Sequence, residues 1–317
     1  MYRLTAQVDI QSDKKWQLDF VTEVEIVRDT ETLTDQCTIT LPKKLRWDGL
    51  KDIPLKRGDK VTVSLGYDDN LEVAFVGYIR NIGYKTPITL KCEDEMFRLK
   101  QMKTVRKAYK SVNIETLLKD QGLTDVKVFG EQNLGQYRVT DNTVAELLNS
   151  LQKNGVRSFF RYEDGKAVLY CGVLFERSAK TAQVFATGIN IIDDGGLEQQ
   201  KAEEIKLKVK AISVMPNNKK VTVEVGDSDG ELRTLHCYNK TESELKAWAE
   251  QEMKRLKVDG LTGNLTTFGY KLVDKLDIIG IIIDGEKMGT YQVKKNTIKY
   301  GSGGYRQNIT LGMRTSV

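Results

Sequence analysis

The 317-residue sequence has one histidine, four cysteines and four prolines. Cys37, Cys92, Cys171 and Cys237 are far apart, each sits in an apolar, strand-like run, and no Cys-x-x-Cys spacing offers a zinc or redox site. They are expected to be buried free thiols. His236 adjoins Cys237, but neighbours on a strand point to opposite faces, so the two cannot form a nucleophile pair. Long apolar runs are also missing. Ile278 to Ile283 is broken by Gly280 and flanked by Asp277 and Asp284, far short of the ~20 residues a spanning helix needs. Met1 to Trp16 lacks an apolar h-region, so synthesis and folding are expected in the cytoplasm, with no membrane contact. No one sign of charge dominates: 49 basic against 44 acidic side chains leave +5. That balance argues weakly for nucleic acid. The densest basic stretch, Lys100 to Lys110, reads as a linker.

What is present describes a folded chain. Hydrophobic residues make up 40% and charged residues 29%, which excludes disorder. Cores stop growing near ~250–300 residues, so two or more domains are expected. Phe20 to Pro42 alternates with period two around a polar turn, Asp29 to Asp35, and predicts a β-hairpin. Leu55 to Asp59 turns into a strand, Val61 to Leu65, followed by Leu71 to Ile79 and Ile88 to Cys92. Residues 1–100 thus read as one antiparallel unit, a small barrel, since closure removes exposed edges.

The period then changes. Ser111 to Gln121 has helical spacing, Thr143 to Glu146 is a capping box opening a second helix, and Asp164-Gly165 turns a hairpin. Residues 101–175 read as a small α+β insert. From residue 176 to 317 the β pattern returns, with a hairpin over Glu204 to Gly226 and a helical insert at about 241–257, where Thr241 to Glu244 is another capping box. The two β regions repeat one another. Phe20 to Pro42 matches Glu204 to Gly226, and Lys56 to Asp59 matches Val273 to Asp277. Gly77 to Ile79 matches Gly289 to Tyr291, Ile82 and Tyr84 match Ile298 and Tyr300, and Ile88 to Leu90 matches Ile309 to Leu311. Two copies of one barrel in a single chain follow.

Catalytic chemistry finds little purchase. Tyr300 to Tyr305 is glycine-rich but opens no helix, so it is no phosphate loop. Arg57-Gly58-Asp59 has the ordinary task of turning the chain into a strand. Glu93-Asp94-Glu95 and Asp193-Asp194 are carboxylates that could line a cleft or a solvated turn. No catalytic, cofactor or metal residue is assigned, and an enzyme is not expected.

Asp35-Gln36-Cys37-Thr38-Ile39-Thr40-Leu41-Pro42, Lys56-Arg57-Gly58-Asp59-Lys60-Val61, Gly66-Tyr67, Phe75-Val76-Gly77-Tyr78-Ile79 and Cys92-Glu93-Asp94 together resemble the first barrel of the phage tail baseplate hub family. That family includes late control D proteins, contractile-phage hubs and the hub part of the valine-glycine repeat proteins of type VI secretion. Val139 to Thr143, Phe159 to Arg161, Leu169 to Gly172, Gly263 to Tyr270, Gly289 to Val293 and Gly304 to Gly312 extend the resemblance over nearly the whole chain. Lys275-Leu276-Asp277 departs from it where Gly-Asp is expected before the second strand, and no spike or lysozyme extension follows Val317. The resemblance implies a mainly β fold of two tube-like antiparallel β-barrels plus a small helical/β domain. It also implies a homotrimeric symmetry adaptor between a sixfold tail tube and a threefold spike in a virion tail baseplate. Tube, spike and other baseplate proteins would be its partners. The competing reading is a nucleic-acid-binding β-barrel protein.

Overall fold

The computed structural model describes residues 3–43, 47, 53–130, 132–175 and 181–315. Strands β1 (Leu4–Gln11), β2 (Lys15–Leu18), β3 (Glu23–Asp29), β4 (Gln36–Thr40), β5 (Lys60–Tyr67), β6 (Asn70–Gly83) and β7 (Thr89–Glu93) come first, followed by the one-turn helix α1 (Met96–Leu99). Their alternation places Val8, Ile10, Ile26, Ile39, Val61, Val63 and Ile79 on one buried face, so the sheet curls around a single core. The middle contains β8 (Ala108–Tyr109), α2 (Ile114–Asp120), β9 (Val126–Phe129), β10 (Tyr137–Arg138), α3 (Val144–Gln152), β11 (Arg157–Glu163) and β12 (Lys166–Gly172). Asn113 caps α2 and the Thr143/Glu146 box caps α3, which turns Leu147, Leu148 and Leu151 into the core of this layer.

The last part holds β13 (Thr181–Ala186), β14 (Ile191–Asp193), β15 (Leu197–Gln200), β16 (Leu207–Val214), β17 (Lys220–Gly226), β18 (Glu231–Tyr238), α4 (Glu242–Leu256), β19 (Gly260–Phe268), β20 (Ile278–Ile283), β21 (Glu286–Gly301) and β22 (Gly304–Thr315). A second core gathers Phe185, Leu265, Ile279, Ile281, Tyr291, Val293 and Ile309. The expected match of Phe20 to Pro42 with Glu204 to Gly226 does not hold. β16 and β17 pair with each other, but they join β18 in a separate three-stranded sheet covered by Leu245 and Ala249 of α4. This layer interrupts the hairpin β15–β19, so the true counterpart of β3–β4 is split in sequence.

The two curled units are not separate closed barrels. One 14-stranded sheet runs β14-β19-β22-β21-β3-β4-β7-β6-β5-β1-β2, with β15 attached to β19, β20 to β21 and β13 to β20. The reason lies in β21. Its early residues pair with β20 as far as Gln292, and on the same edge Lys295 to Tyr300 pair with β3 of the first unit. Ile298 faces Ile26 across this junction and both are fully buried, so the edge a barrel would use to close is occupied by the other unit.

The repeat itself is written in hydrogen bonds. Asp59 Oδ2 accepts from the Lys56 amide at 2.8 Å, and Asp277 Oδ2 accepts from the Asp274 amide at 2.8 Å. The amides of Gly58 and Leu276 donate to Ile79 and Val293, and the latter residues donate back to the carbonyls of Asp59 and Asp277. Asp59 and Asp277 therefore occupy one position, as the sequence suggests. The register then departs from the expected one: with Ile79 equivalent to Val293, Ile82 corresponds to Asn296 and Leu90 to Ile309, two residues from the match read in the sequence. A β-bulge follows Ile79 in one unit and Val293 in the other.

Candidate functional site: the junction between the repeated units

Three parts of the chain meet around a side chain that the sequence marks only as a departure from its family pattern. Lys275 is fully buried. Its ammonium donates to both oxygens of Asp35, at 2.8 and 2.7 Å, across 240 residues of sequence. Phe159 of the middle layer presents its ring 4.7 Å from the same nitrogen. Around this pair Arg28 Nη1 lies 3.5 Å from Asp274 Oδ1, and Arg161 Nη2 donates to Asp277 Oδ1 at 3.0 Å while its Nη1 donates to the Lys275 carbonyl. First unit, middle layer and second unit each contribute a charge, so the network fixes their mutual placement.

The turn that carries Lys275 explains why Leu276 stands where the first unit has Gly58. Both residues have positive φ, +95° for Gly58 and +67° for Leu276. A left-handed leucine costs roughly 1–2 kcal/mol. What offsets it is the side chain, which is buried against Phe159, Tyr170 and Phe175 and so joins the middle layer to the second unit. Leu276→Gly is expected to relieve the strain and lose the packing, a net destabilisation of about 1–3 kcal/mol in urea unfolding. An equally stable or more stable glycine variant contradicts this.

Asp94, named in the sequence as a possible cleft residue, lies beside the network and is buried. Its oxygens accept from the Asp35 and Met96 amides, both at 3.0 Å. Burial, and then the Asp35 charge, push its carboxyl up to about 8. Burial also raises Asp35, against the pull of Lys275. Asp274 is held down instead, because Arg28, Arg161 and Lys275 together outweigh its burial. The folded chain thus binds more protons at Asp94 than the unfolded chain between pH ~4 and about 8, and this contribution to stability is complete at low pH and lost as pH rises through that window. The urea midpoint is expected to fall from pH 5 to pH 8. Asp94→Asn, which cannot titrate and forfeits one amide contact, is expected to be less stable and to show a flatter profile.

The other residues singled out in the sequence take structural places. Glu93 is buried with Lys100 Nζ 2.8 Å and Arg80 Nη1 3.4 Å from its carboxylate, and Glu95 pairs with Arg98 at 2.7 Å. Asp193 accepts the Gly195 amide in an open turn. The basic stretch is stitched to the middle layer rather than hanging free: Lys107 pairs with Asp120 at 2.7 Å and Arg106 reaches Asn142. Tyr300 to Tyr305 forms the tip of the hairpin β21–β22, and Tyr300 to Gly304 rim a concavity with Glu23, Glu25, Lys299 and Arg306. His236 is half-buried, its pKa lowered first by burial and then by Lys220 and Arg157. All four thiols are free and buried; Cys37 and Cys92, distant in sequence, face each other across β4 and β7. Among the described residues no three His, Cys, Asp or Glu side chains gather as metal ligands, and no helix is long and apolar enough to cross a membrane. Sequence reasoning missed Arg28, Asp35, Arg161 and Asp274 as a cluster.

The architecture recurs in solved structures. A 43 kDa tail protein of prophage MuSo2 from Shewanella oneidensis is 17% identical, with 98% of each chain covered and a TM-score of 0.63. A tail protein from Neisseria meningitidis is 13% identical, with 98% of this chain and 96% of that one covered and a TM-score of 0.64. The chain has the tail-protein fold. A type VI secretion system component from E. coli, described as structurally similar to bacteriophage T4 tail proteins, shares that fold at 10% identity and a TM-score of 0.53, over 99% of this chain and 77% of its own. No family model and no curated protein matches the sequence.

Proposed function

We propose that this protein is a structural hub of a contractile-phage tail baseplate or a related injection machine, and that three copies form an adaptor between a sixfold tail tube and a threefold spike. The observation that carries this reading is the repeat: the turns at Asp59 and Asp277 share one hydrogen-bond pattern and lead into equivalent strands. Two equivalent units per chain give three chains six similar faces, which removes the symmetry mismatch. The named tail and secretion proteins of the same fold support it. In this reading residues 1–100 and 176–317 are the two tube-like units and 101–175 is an insert that braces them through Arg161 and Phe159. The partners are the tube, the spike and other baseplate proteins, in a tail made in the bacterial host cytoplasm. Its role is mechanical, with no catalytic or cofactor-binding residues.

Native mass spectrometry tests the reading, and a homotrimer is the expected species. A stable dimer, or a ring of six chains, overturns it. Tight DNA binding that falls steeply with salt would favour a nucleic-acid-binding role instead.

A further inference from the structure

The junction between the two units predicts a second junction that a single chain cannot make. Within the chain, β21 runs beyond its contact with β20, and its free edge takes β3, with Ile298 opposite Ile26 and Lys295 opposite Asp29. The equivalent strand of the first unit is β6. It leaves its partner β5 at Tyr78, and past that point its edge on the β5 side has no strand among the described residues. Counting from the matched pair Ile79 and Val293, Asn81 stands for Lys295 and Tyr84 for Ile298. Ile298 is fully buried, whereas Tyr84 is 72% exposed.

The strand equivalent to β3 is equally open. Ile39 and Leu265 face the matched residues Leu90 and Ile309, so they correspond. Cys37 and Gly263, each two residues earlier, face Ile26 and Leu197 respectively. Leu197 is therefore the second unit's Ile26, and Gln200 its Asp29. β15 pairs only with β19, and its other edge has no strand among the described residues. Ile192, in the neighbouring β14, is also exposed.

We propose that Leu197–Gln200 of one copy pairs antiparallel with Asn81 to Lys85 of the next copy, in the register of the β3–β21 junction. Tyr84 then faces Leu197, Asn81 faces Gln200, and Gly83 faces Glu198, with Lys85 diagonal to that carboxylate on the same face. The occupant of each edge is a second copy of this chain, because each edge is the counterpart of one already joined inside it. Both exposed edges would be covered, which removes a standing hazard of open strands. The inference rests on the hub reading and names the surfaces that build its ring.

The test is the double variant Tyr84→Cys with Leu197→Cys, oxidised mildly in the assembled protein, beside a mismatched control, Tyr84→Cys with Gln200→Cys. Directly opposed Cβ atoms lie about 4.5–5.5 Å apart, whereas three residues along a strand add about 10 Å. The matched pair is expected to link chains about tenfold better than the control, since distant thiols cannot bridge. Hydrogen exchange on the unmodified protein gives a second measurement: amides of 81–85 and 197–200 should be slow in the oligomer. Trimers with neither cross-link nor protection at these edges overturn the strand pairing and leave the trimer standing. Cross-linked rings of another size support the pairing and overturn the trimer. A monomer at every concentration overturns both.

Discussion

Lys275→Ala is expected to destabilise the folded chain by about 3–5 kcal/mol, because it leaves the buried Asp35 carboxylate without its counter-ion. The Lys275 side chain is fully buried and donates to both oxygens of the buried Asp35. Surface pairs in the same protein behave differently. Lys119 and Glu115, both largely exposed at 2.8 Å, are worth about 0.3–0.5 kcal/mol and their loss should pass almost unnoticed. The decisive comparison is the double variant Lys275→Met with Asp35→Asn. Removing both charges together is expected to recover at least about 2 kcal/mol relative to the sum of the single variants. Urea and thermal unfolding of the four proteins measure this. Additive losses would show that the pair acts through packing alone.

How much of this was legible in the sequence depends on which physical signal each feature leaves. The turn at Asp59 and its copy at Asp277 were readable because an aspartate that accepts the amide three residues before it marks a turn wherever it occurs. The register beyond it was not. Strand side chains repeat every two residues, so sliding β21 by two against β6 keeps every apolar residue facing inward, and Ile298 then looks like a partner for Ile82 when it is the partner of Tyr84. The hairpin over 204–226 misled for the same reason. Its alternation fits β3–β4 well, while the true counterpart, β15–β19, is divided by an inserted layer that no periodicity announces. The ionic junction left still less trace. Asp35 reads as the end of a polar turn and Lys275 as an irregular substitution, and only the fold brings two residues 240 positions apart into contact.

Closure fails in the sequence reading because alternation reveals which face of a strand is buried but says nothing of what lies along its edge. A chain of two units must put an edge somewhere, and here the second unit lends β21 to the first. The residue most exposed to that arrangement is Tyr305, fully buried at the seam, where it packs with Tyr67 and Tyr300 at 5.5 and 5.9 Å between ring centroids. Gly269 makes room for it, since a Cβ there would sit 2.3 Å from the ring. Tyr305→Ala is expected to cost about 3–5 kcal/mol, the loss of a buried aromatic with the cavity it leaves. Tyr305→Phe separates the ring from its hydroxyl, whose oxygen is buried with no hydrogen-bond partner among the described residues. Burying a hydroxyl without a partner costs about 1–3 kcal/mol, so the phenylalanine variant should match or exceed the native stability. If Tyr305→Phe instead loses as much as Tyr305→Ala, the hydroxyl carries the seam, and the account of apolar ring packing between Tyr67 of β5, Tyr300 of β21 and Tyr305 of β22 fails.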